Sequence, residues 1–82
     1  MFEIIGFQNI NFIEKESGQV ISGVKFHLKG DPIDYNGEGN TVVSKFFPDN
    51  RIIGVPHVEA MCEFKFTITS KGEPKVTGIK II

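Results

Sequence analysis

The sequence predicts one all-β domain that spans residues 1–82 and has no substantial helix. Isoleucine and valine together account for 19 of the 82 residues and phenylalanine for 8, whereas leucine and alanine occur once each. β-Branched and aromatic side chains suit a pleated sheet, and the best helix-forming residues are nearly missing. Several segments also alternate between apolar and polar residues, which is the period of a strand with one buried face.

Five runs of strand-forming residues follow one another along the chain. The first run is long, and Gly6 inside it indicates a bulge or a sharp bend. The second run alternates cleanly, and the last two are joined by a short polar turn that is typical of a tight hairpin. The predicted strands cover residues 2–13, 20–29, 41–47, 61–69 and 74–82.

The connections between these runs indicate how the strands are arranged. Residues 14–19 are a short polar turn, and residues 30–40 are a long glycine-rich loop. Proline and glycine in the connector 48–60 prevent any regular helix longer than a single turn near 58–61. A bent first strand, a three-stranded meander, a connector and a closing hairpin predict a five-stranded Greek-key barrel of the OB type. An SH3-like barrel is the alternative that this order of elements leaves open.

Cysteine usage and apolar runs bear on the compartment. The single cysteine, Cys62, cannot form an internal disulfide. No apolar run approaches the ~20 residues that span a bilayer, and the first ten residues lack the basic start of a signal peptide. We therefore expect a cytoplasmic protein that does not contact a membrane.

Metal binding and catalysis find little support in the residue types. The soft metal ligands are His27, His57 and Cys62, and no two of them have the short spacing of a zinc site. A catalytic nucleophile needs a base and an orienting group, and Cys62 alternates into the predicted core. The acidic loop 30–40 lacks the apolar pocket that an active site usually needs. We expect no metal, no cofactor and no enzymatic activity.

One face of the second strand is basic, although the chain has a net charge of −1. In the segment GVKFHLKG, residues 23–30, the apolar side chains alternate into the predicted core. The other three side chains then lie in a row on the opposite face: Lys25, His27 and Lys29. By the same alternation, Lys45 and Phe47 project from the third strand and Lys65 projects from the fourth.

These residue types match what single-stranded nucleic acid needs, which is cations along the phosphates and aromatic rings on which bases stack. The outer face of the second and third strands is also where OB barrels bind oligonucleotides. Tyr35, the single tyrosine, lies in the loop beside that face, and Arg51 in the connector is a weaker candidate. The predicted nucleic-acid-binding residues are Lys25, His27, Lys29, Tyr35, Lys45, Phe47 and Lys65, of which the lysines contact phosphate and Tyr35 and Phe47 stack on bases.

The same pattern has a second interpretation. Outward lysines also keep a β protein soluble and discourage pairing between strand edges. The chain could then be a small β-barrel protein–protein interaction module that docks through an exposed edge, through Phe47 or through the terminal Ile81 and Ile82. Apolar residues on both faces of the first strand favour self-association, so we expect a homodimer under either interpretation.

Three segments carry a family resemblance: NINFIEKESGQVISGVKFHL, SKFF and VPHVEAMCEFKFTITSKGEPKVTGIKII. Together they resemble the very small single-stranded-DNA-binding proteins of phages and mobile elements. GVKFHL is similar to the glycine–x–x–aromatic–x–leucine stretch of the helix-destabilising proteins of filamentous phages. The resemblance implies a dimeric OB barrel that coats single strands of DNA with little sequence preference during replication or transfer. It also implies that Phe26 stacks on bases, whereas the alternation of the strand places Phe26 in the core.

Overall fold

The computed structural model describes every residue from Met1 to Ile82 and consists of strands, loops and one short 3₁₀ helix. The strands are β1 (Phe2–Ile13), β2 (Val20–Pro32), β3 (Asn40–Pro48), β4 (Ile52–Ile53), β5 (Met61–Ile68) and β6 (Pro74–Ile81). The helix, Asp49–Arg51, has three residues and is far too short to cross a membrane. The predicted all-β class is confirmed, and each predicted strand is present close to its expected ends.

All six strands belong to one mixed sheet with the order β3-β2-β1-β5-β6-β4. The short strand β4 pairs in parallel with β6 through Ile52 and Ile53, and the other pairings are antiparallel. The sheet is not closed, since β3 and β4 are its two edges. This differs from the predicted five-stranded barrel. The chain leaves β3 through the 3₁₀ helix and adds β4 to part of the β6 edge, where a closing strand would pair.

The open sheet is curled, so that its two halves face each other across one core. Phe64 in β5 lies 4.8 Å from Phe2 in β1 and 5.9 Å from Phe47 in β3, measured between ring centroids. Phe26 of β2 is fully buried beside Phe47, with 6.2 Å between their ring centroids. The buried residues are Ile4, Val24, Phe26, Leu28, Phe47, Ala60, Cys62, Ile79 and Ile81.

The predicted irregularity in the first strand is confirmed. The register between β1 and β2 shifts between Ile4 and Gly6, so Ile5 is an extra residue in β1. A bulge of this kind bends the strand and increases its twist. It also changes the alternation, so that Ile4 before the bulge and Phe7 after it both pack toward the core.

The connector after β4 is irregular but is fixed to β1 by backbone hydrogen bonds. The Glu59 N–H donates to the Ile4 carbonyl at 2.8 Å, and the Ile4 N–H donates to the Ala60 carbonyl at 2.9 Å. No helical turn forms near residues 58–61, where the sequence allowed one. The helical turn forms instead at Asp49–Arg51, directly after β3.

Candidate nucleic-acid interface

The basic residues of β2 lie on the face of β1, β2 and β3 that points away from the core, which we call the outer face. Lys25 and His27 are half-buried there, and Lys29 is exposed. Residues that are paired across antiparallel strands share a face, so the register identifies the neighbours of each residue. These neighbours are Gln8 and Phe46 beside Lys25, Gly6 and Ser44 beside His27, and Glu3 and Val42 beside Lys29.

An aromatic pair lies next to the lysine at one end of this row. Phe46 is the register partner of Lys25, and its ring meets the ring of Phe12 edge to face, with centroids 5.6 Å apart. Phe46 also covers Gly23, where an added Cβ would lie 2.5 Å from the Phe46 ring. Phe12 remains 44% exposed. The outer face therefore presents open aromatic surface directly beside a cation.

His27 is held in place by a neighbouring strand. Its Nδ1 lies 2.8 Å from the Ser44 Oγ, within hydrogen-bond distance. The bond joins β2 to β3 through side chains, so it fixes the plane of the imidazole on the outer face. The second ring nitrogen of His27 has no protein partner and can donate to or accept from a bound molecule, depending on its tautomer.

Lys29 differs from Lys25 in having an acidic neighbour. Its Nζ lies 3.9 Å from a carboxylate oxygen of Glu3, which is the only ion pair in the structure. Exposed pairs of this kind contribute about 0–1 kcal/mol to stability. The pair matters more for the binding of an anion, because Glu3 partly neutralises the positive charge of Lys29 at one end of the outer face.

The expectation that Lys45 and Phe47 share this face with Lys25 is wrong. Lys45 pairs with Phe26 and Phe47 pairs with Val24, so both point to the core side of the sheet. Phe47 is only 3% exposed and belongs to the core, and the Lys45 Nζ lies 5.9 Å from the centroid of its ring. This distance is within the range of a cation–π contact. Alternation required one member of the Phe46–Phe47 pair to be outside, and that member is Phe46.

The structure also decides between the two positions considered for Phe26. Its side chain has no solvent exposure, and it packs with Phe7 and Phe47. The prediction from strand alternation is confirmed. A ring buried on all sides offers no surface to a base, so the stacking role implied by the resemblance does not fit Phe26 in this structure.

Lys45 and Lys65 line a second surface, which lies beside the free edge of β3 and which we call the seam groove. Its larger part, about 270 Å³, lies between β3, the 3₁₀ helix and β6. An adjoining hollow of about 160 Å³ shares Arg51 and Thr77 with it. The lining residues are Lys45, Phe46, Phe47, Pro48, Arg51, Lys75, Val76 and Thr77 in the larger part, with Asn50, Ile53, Lys65 and Gly78 added in the smaller.

Tyr35 is separate from both surfaces. It lies in the loop between β2 and β3, its side chain is 91% exposed, and its φ is +54°. The loop is closed at its base, where the Ile33 N–H donates to the Gly39 carbonyl at 2.8 Å and the Asn40 amide donates to the Gly30 carbonyl at 3.1 Å. The structure places Tyr35 at the tip of this loop, with no ring packed against it.

The groups considered for metal binding or catalysis do not come together. No cluster of three or more histidine, cysteine, aspartate or glutamate side chains is placed to hold a metal ion. Cys62 is buried in the core as a free thiol. Burial raises the pKa of the Cys62 thiol above its ordinary value, and the positively charged N-terminus opposes this effect. The reactive thiolate form is therefore disfavoured.

Comparison of this chain with protein-family models, with curated proteins and with solved structures finds no match. The resemblance to the helix-destabilising proteins of filamentous phages therefore stays a prediction from the residues alone.

Sequence reasoning missed three residues that the structure places on these surfaces: Phe12, Phe46 and Lys75. A signal for Phe46 was present, because Gly23, its diagonal neighbour in β2, leaves room for a ring. The other two had no comparable signal. Phe12 lies in a strand that is apolar on both faces, and Lys75 reaches the seam groove only because the sheet curls.

Proposed function

We propose that this protein binds single-stranded nucleic acid through the outer face of β1, β2 and β3. The observation that carries the proposal is that Lys25 is the register partner of Phe46, which in turn meets Phe12 edge to face. Proteins that bind single strands combine cations that follow the phosphates with aromatic side chains on which bases stack. The outer face supplies both within one cross-strand neighbourhood.

Each group on the outer face has a distinct task under this proposal. The rings of Phe12 and Phe46 stack on bases, and the ammonium groups of Lys25 and Lys29 contact phosphates. His27, oriented by Ser44, adds one hydrogen bond from its free ring nitrogen. Stacking and phosphate contacts do not read base edges, so the proposal includes little sequence preference and accepts DNA or RNA.

The net charge of −1 is compatible with this proposal because of where the acids lie. Glu14 and Glu16 lie in the turn between β1 and β2, Asp31 lies at the end of β2, and Asp34 and Glu38 lie in the loop that follows it. Only Glu3 stands among the register neighbours of the basic row. Exposed charges separated by more than ~8 Å are largely screened at physiological salt. The charge at the outer face is positive, and it therefore governs binding more than the net charge of the chain does.

The fold supports a more specific form of the same proposal. An OB-type barrel is built from a long bent first strand, a three-stranded meander and a closing hairpin, which correspond here to β1, to β1–β2–β3 and to β5–β6. We propose that the curled sheet is such a barrel left open. As part of the proposal, the protein coats single strands as a homodimer in the cytoplasm, during replication or transfer of a phage or mobile element. Exposed Ile13 and Val20 at the end of the β1–β2 hairpin support self-association.

The proposal is tested by retention of the purified protein on immobilised single-stranded DNA at low salt. We expect the wild type to be retained and then released as the salt concentration rises, and we expect Lys25→Gln to elute earlier. Lys71→Gln, which removes the same charge from an exposed lysine in the turn between β5 and β6, is the control and should elute with the wild type. Passage of the wild type straight through the column would refute the proposal.

A protein-interaction module is the second candidate function, and one observation favours it. The whole of β3, residues Asn40–Pro48, is an edge strand with one unpaired side. Such an edge can accept an additional strand from another chain. A module of this kind would not be retained by single-stranded DNA, so the same column separates the two candidates.

A further inference from the structure

The seam groove concentrates positive charge. Four of the nine lysine and arginine residues line it, and none of its lining residues is acidic: the cations are Lys45, Arg51, Lys65 and Lys75. The only ion pair in the structure joins Lys29 to Glu3, so none of these four cations has an acidic partner. Unpaired cations gathered in one concave surface raise the local concentration of anions.

The shape of the groove follows from the open sheet. β4 pairs with β6 only at Ile79 and Lys80, so the edge of β6 from Lys75 to Gly78 has no partner strand on this side. The free edge of β3 lies across the groove from it. Strand edges present unpaired N–H groups, which are additional donors for an anion. Arg51 stands where the two parts of the groove meet.

The groove suits the backbone of a polymer better than a small molecule. Small-molecule sites are usually concave, mostly apolar and large enough to enclose most of the ligand. This groove is shallow and open, and half of its lining residues are polar or charged, four of them cations. A phosphodiester chain presents successive anionic groups that can occupy such a groove without being enclosed.

Phe46 connects the groove to the outer face. Its ring meets Phe12 on the outer face, and the same residue forms part of the groove lining. We infer that the seam groove binds the backbone phosphates of a single strand whose bases stack on Phe12 and Phe46, so that the strand crosses the free edge of β3. This inference rests on the proposed function and adds a second, purely electrostatic subsite to it.

Two probes separate the groove from the aromatic surface. One is labelled oligo-dT, and the other is an abasic strand of the same length, which has the phosphates but no bases to stack. The groove variant is the double substitution Arg51→Gln with Lys75→Gln. The matched control is Lys15→Gln with Lys80→Gln, which changes the net charge equally at exposed positions outside the groove.

We expect the groove variant to bind both probes more weakly than the matched control does. The slope of log affinity against log salt concentration should also fall by about 1.4, because each lost phosphate contact on a single strand accounts for about 0.7. Phe46→Leu should show the complementary pattern. It should weaken the binding of oligo-dT about 5- to 150-fold, which corresponds to the loss of one stacked base, and leave the abasic strand nearly unaffected.

The outcomes distinguish the groove from the function as a whole. If the wild type binds oligo-dT and the groove variant matches the control in affinity and salt slope, the groove inference is overturned while the proposed function stands. If the wild type does not bind oligo-dT at low salt, both are overturned. Circular dichroism shows whether loss of Arg51 disturbs the 3₁₀ helix. If it does, Lys45→Gln with Lys75→Gln serves as a second groove variant, and the same two outcomes decide whether the groove inference stands.

Discussion

The rings of Phe47 in β3 and Phe64 in β5 lie 5.9 Å apart, although β2 and β1 separate these strands in the sheet. The contact joins the two halves of the curled sheet across the core. It also sets the orientation of β3, because neighbouring residues of a strand point to opposite faces. With Phe47 turned inward, Phe46 is turned outward beside Lys25. The packing that forms the core thereby positions the aromatic surface of the candidate interface.

Substituting Phe46 and Phe47 by leucine, one at a time, should separate the effect on stability from the effect on binding. Phe47→Leu removes aromatic contacts with Phe26 and Phe64, and each such pair contributes about 0.5–1.5 kcal/mol beyond the buried area. We therefore expect the free energy of unfolding to fall by about 1–3 kcal/mol. The affinity of the folded protein for oligo-dT should fall less than in Phe46→Leu, because Phe47 lines the seam groove but offers no open ring to a base. Urea unfolding and fluorescence anisotropy measure the two quantities.

Phe46→Leu is the reciprocal variant. It removes one aromatic pair, that with Phe12, so the free energy of unfolding should fall by about 0.5–1.5 kcal/mol. The affinity for oligo-dT should fall by about 1–3 kcal/mol, the usual contribution of one stacked base. Equal effects of the two substitutions on binding would contradict the assignment of faces.

Gly23→Ala should disturb both the core and the interface. A Cβ at this position would clash with the Phe47 carbonyl oxygen and would lie 2.5 Å from the Phe46 ring. The ring can rotate away, but the carbonyl belongs to the backbone of β3 and cannot. Overpacking of this kind costs about 1–3 kcal/mol, which should appear as a lower midpoint in thermal unfolding. Gly18→Ala, at a turn glycine with open space around it, is unsuitable as a control because its φ is +70°.

Gly6→Ala is the better control for that experiment. Gly6 also lies on the outer face, but its nearest neighbour for an added Cβ is the His27 side chain at 3.7 Å, which is ordinary contact. We expect Gly6→Ala to leave the midpoint of unfolding nearly unchanged. A midpoint for Gly23→Ala as high as that of Gly6→Ala would show that β2 and β3 are not as close as described.

Glu3→Gln should strengthen the binding of single strands. Glu3 is the one acid among the cross-strand neighbours of the basic row, and it forms the ion pair with Lys29. Removing its charge frees Lys29 and lessens repulsion of phosphate, so the affinity for oligo-dT should rise, most clearly at low salt. The free energy of unfolding should change by less than about 1 kcal/mol, as for other exposed pairs. Glu73→Gln, in the turn before β6, is the matched control. Unchanged or weaker binding by Glu3→Gln would contradict a phosphate contact at Lys29.

The buried thiol should make stability depend on pH at the alkaline end. Burial raises the pKa of Cys62 in the folded state above its ordinary value of 9.0, so the folded state holds the proton more tightly than the unfolded chain. The contribution of this group is therefore fully present below the unfolded pKa and is lost as pH rises through the folded pKa. Urea unfolding of the wild type and of Cys62→Ala should show a stability difference that shrinks above about pH 9. A difference that stays constant across this range would contradict the burial of the thiol.

Much of the fold could be predicted from the sequence because its strands are bounded by strong local signals. The alternation of Val24, Phe26 and Leu28 identified the core side of β2, and Gly6 marked the bulge in β1. The unclosed sheet could not be predicted in the same way. Neither the absence of pairing between β3 and β6 nor β4, a two-residue strand that pairs with β6, has a local pattern in the sequence.

The candidate site was predicted only where one strand determined it. Lys25, His27 and Lys29 follow from the alternation within β2 alone. For β3 the choice between Phe46 and Phe47 depends on which ring meets Phe64, a residue that is distant in the sequence. Alternation alone does not determine which of the two rings points to the core, because a shift by one residue exchanges the two faces of a strand.

The binding of single-stranded nucleic acid is best measured by fluorescence anisotropy of a labelled oligo-dT titrated with the wild-type protein at two salt concentrations. We expect clear binding at the lower concentration and a steep loss of affinity at the higher one, because each phosphate contact contributes about 0.7 to the salt slope. Absence of binding at the lower concentration, or binding that does not respond to salt, would contradict the proposed function.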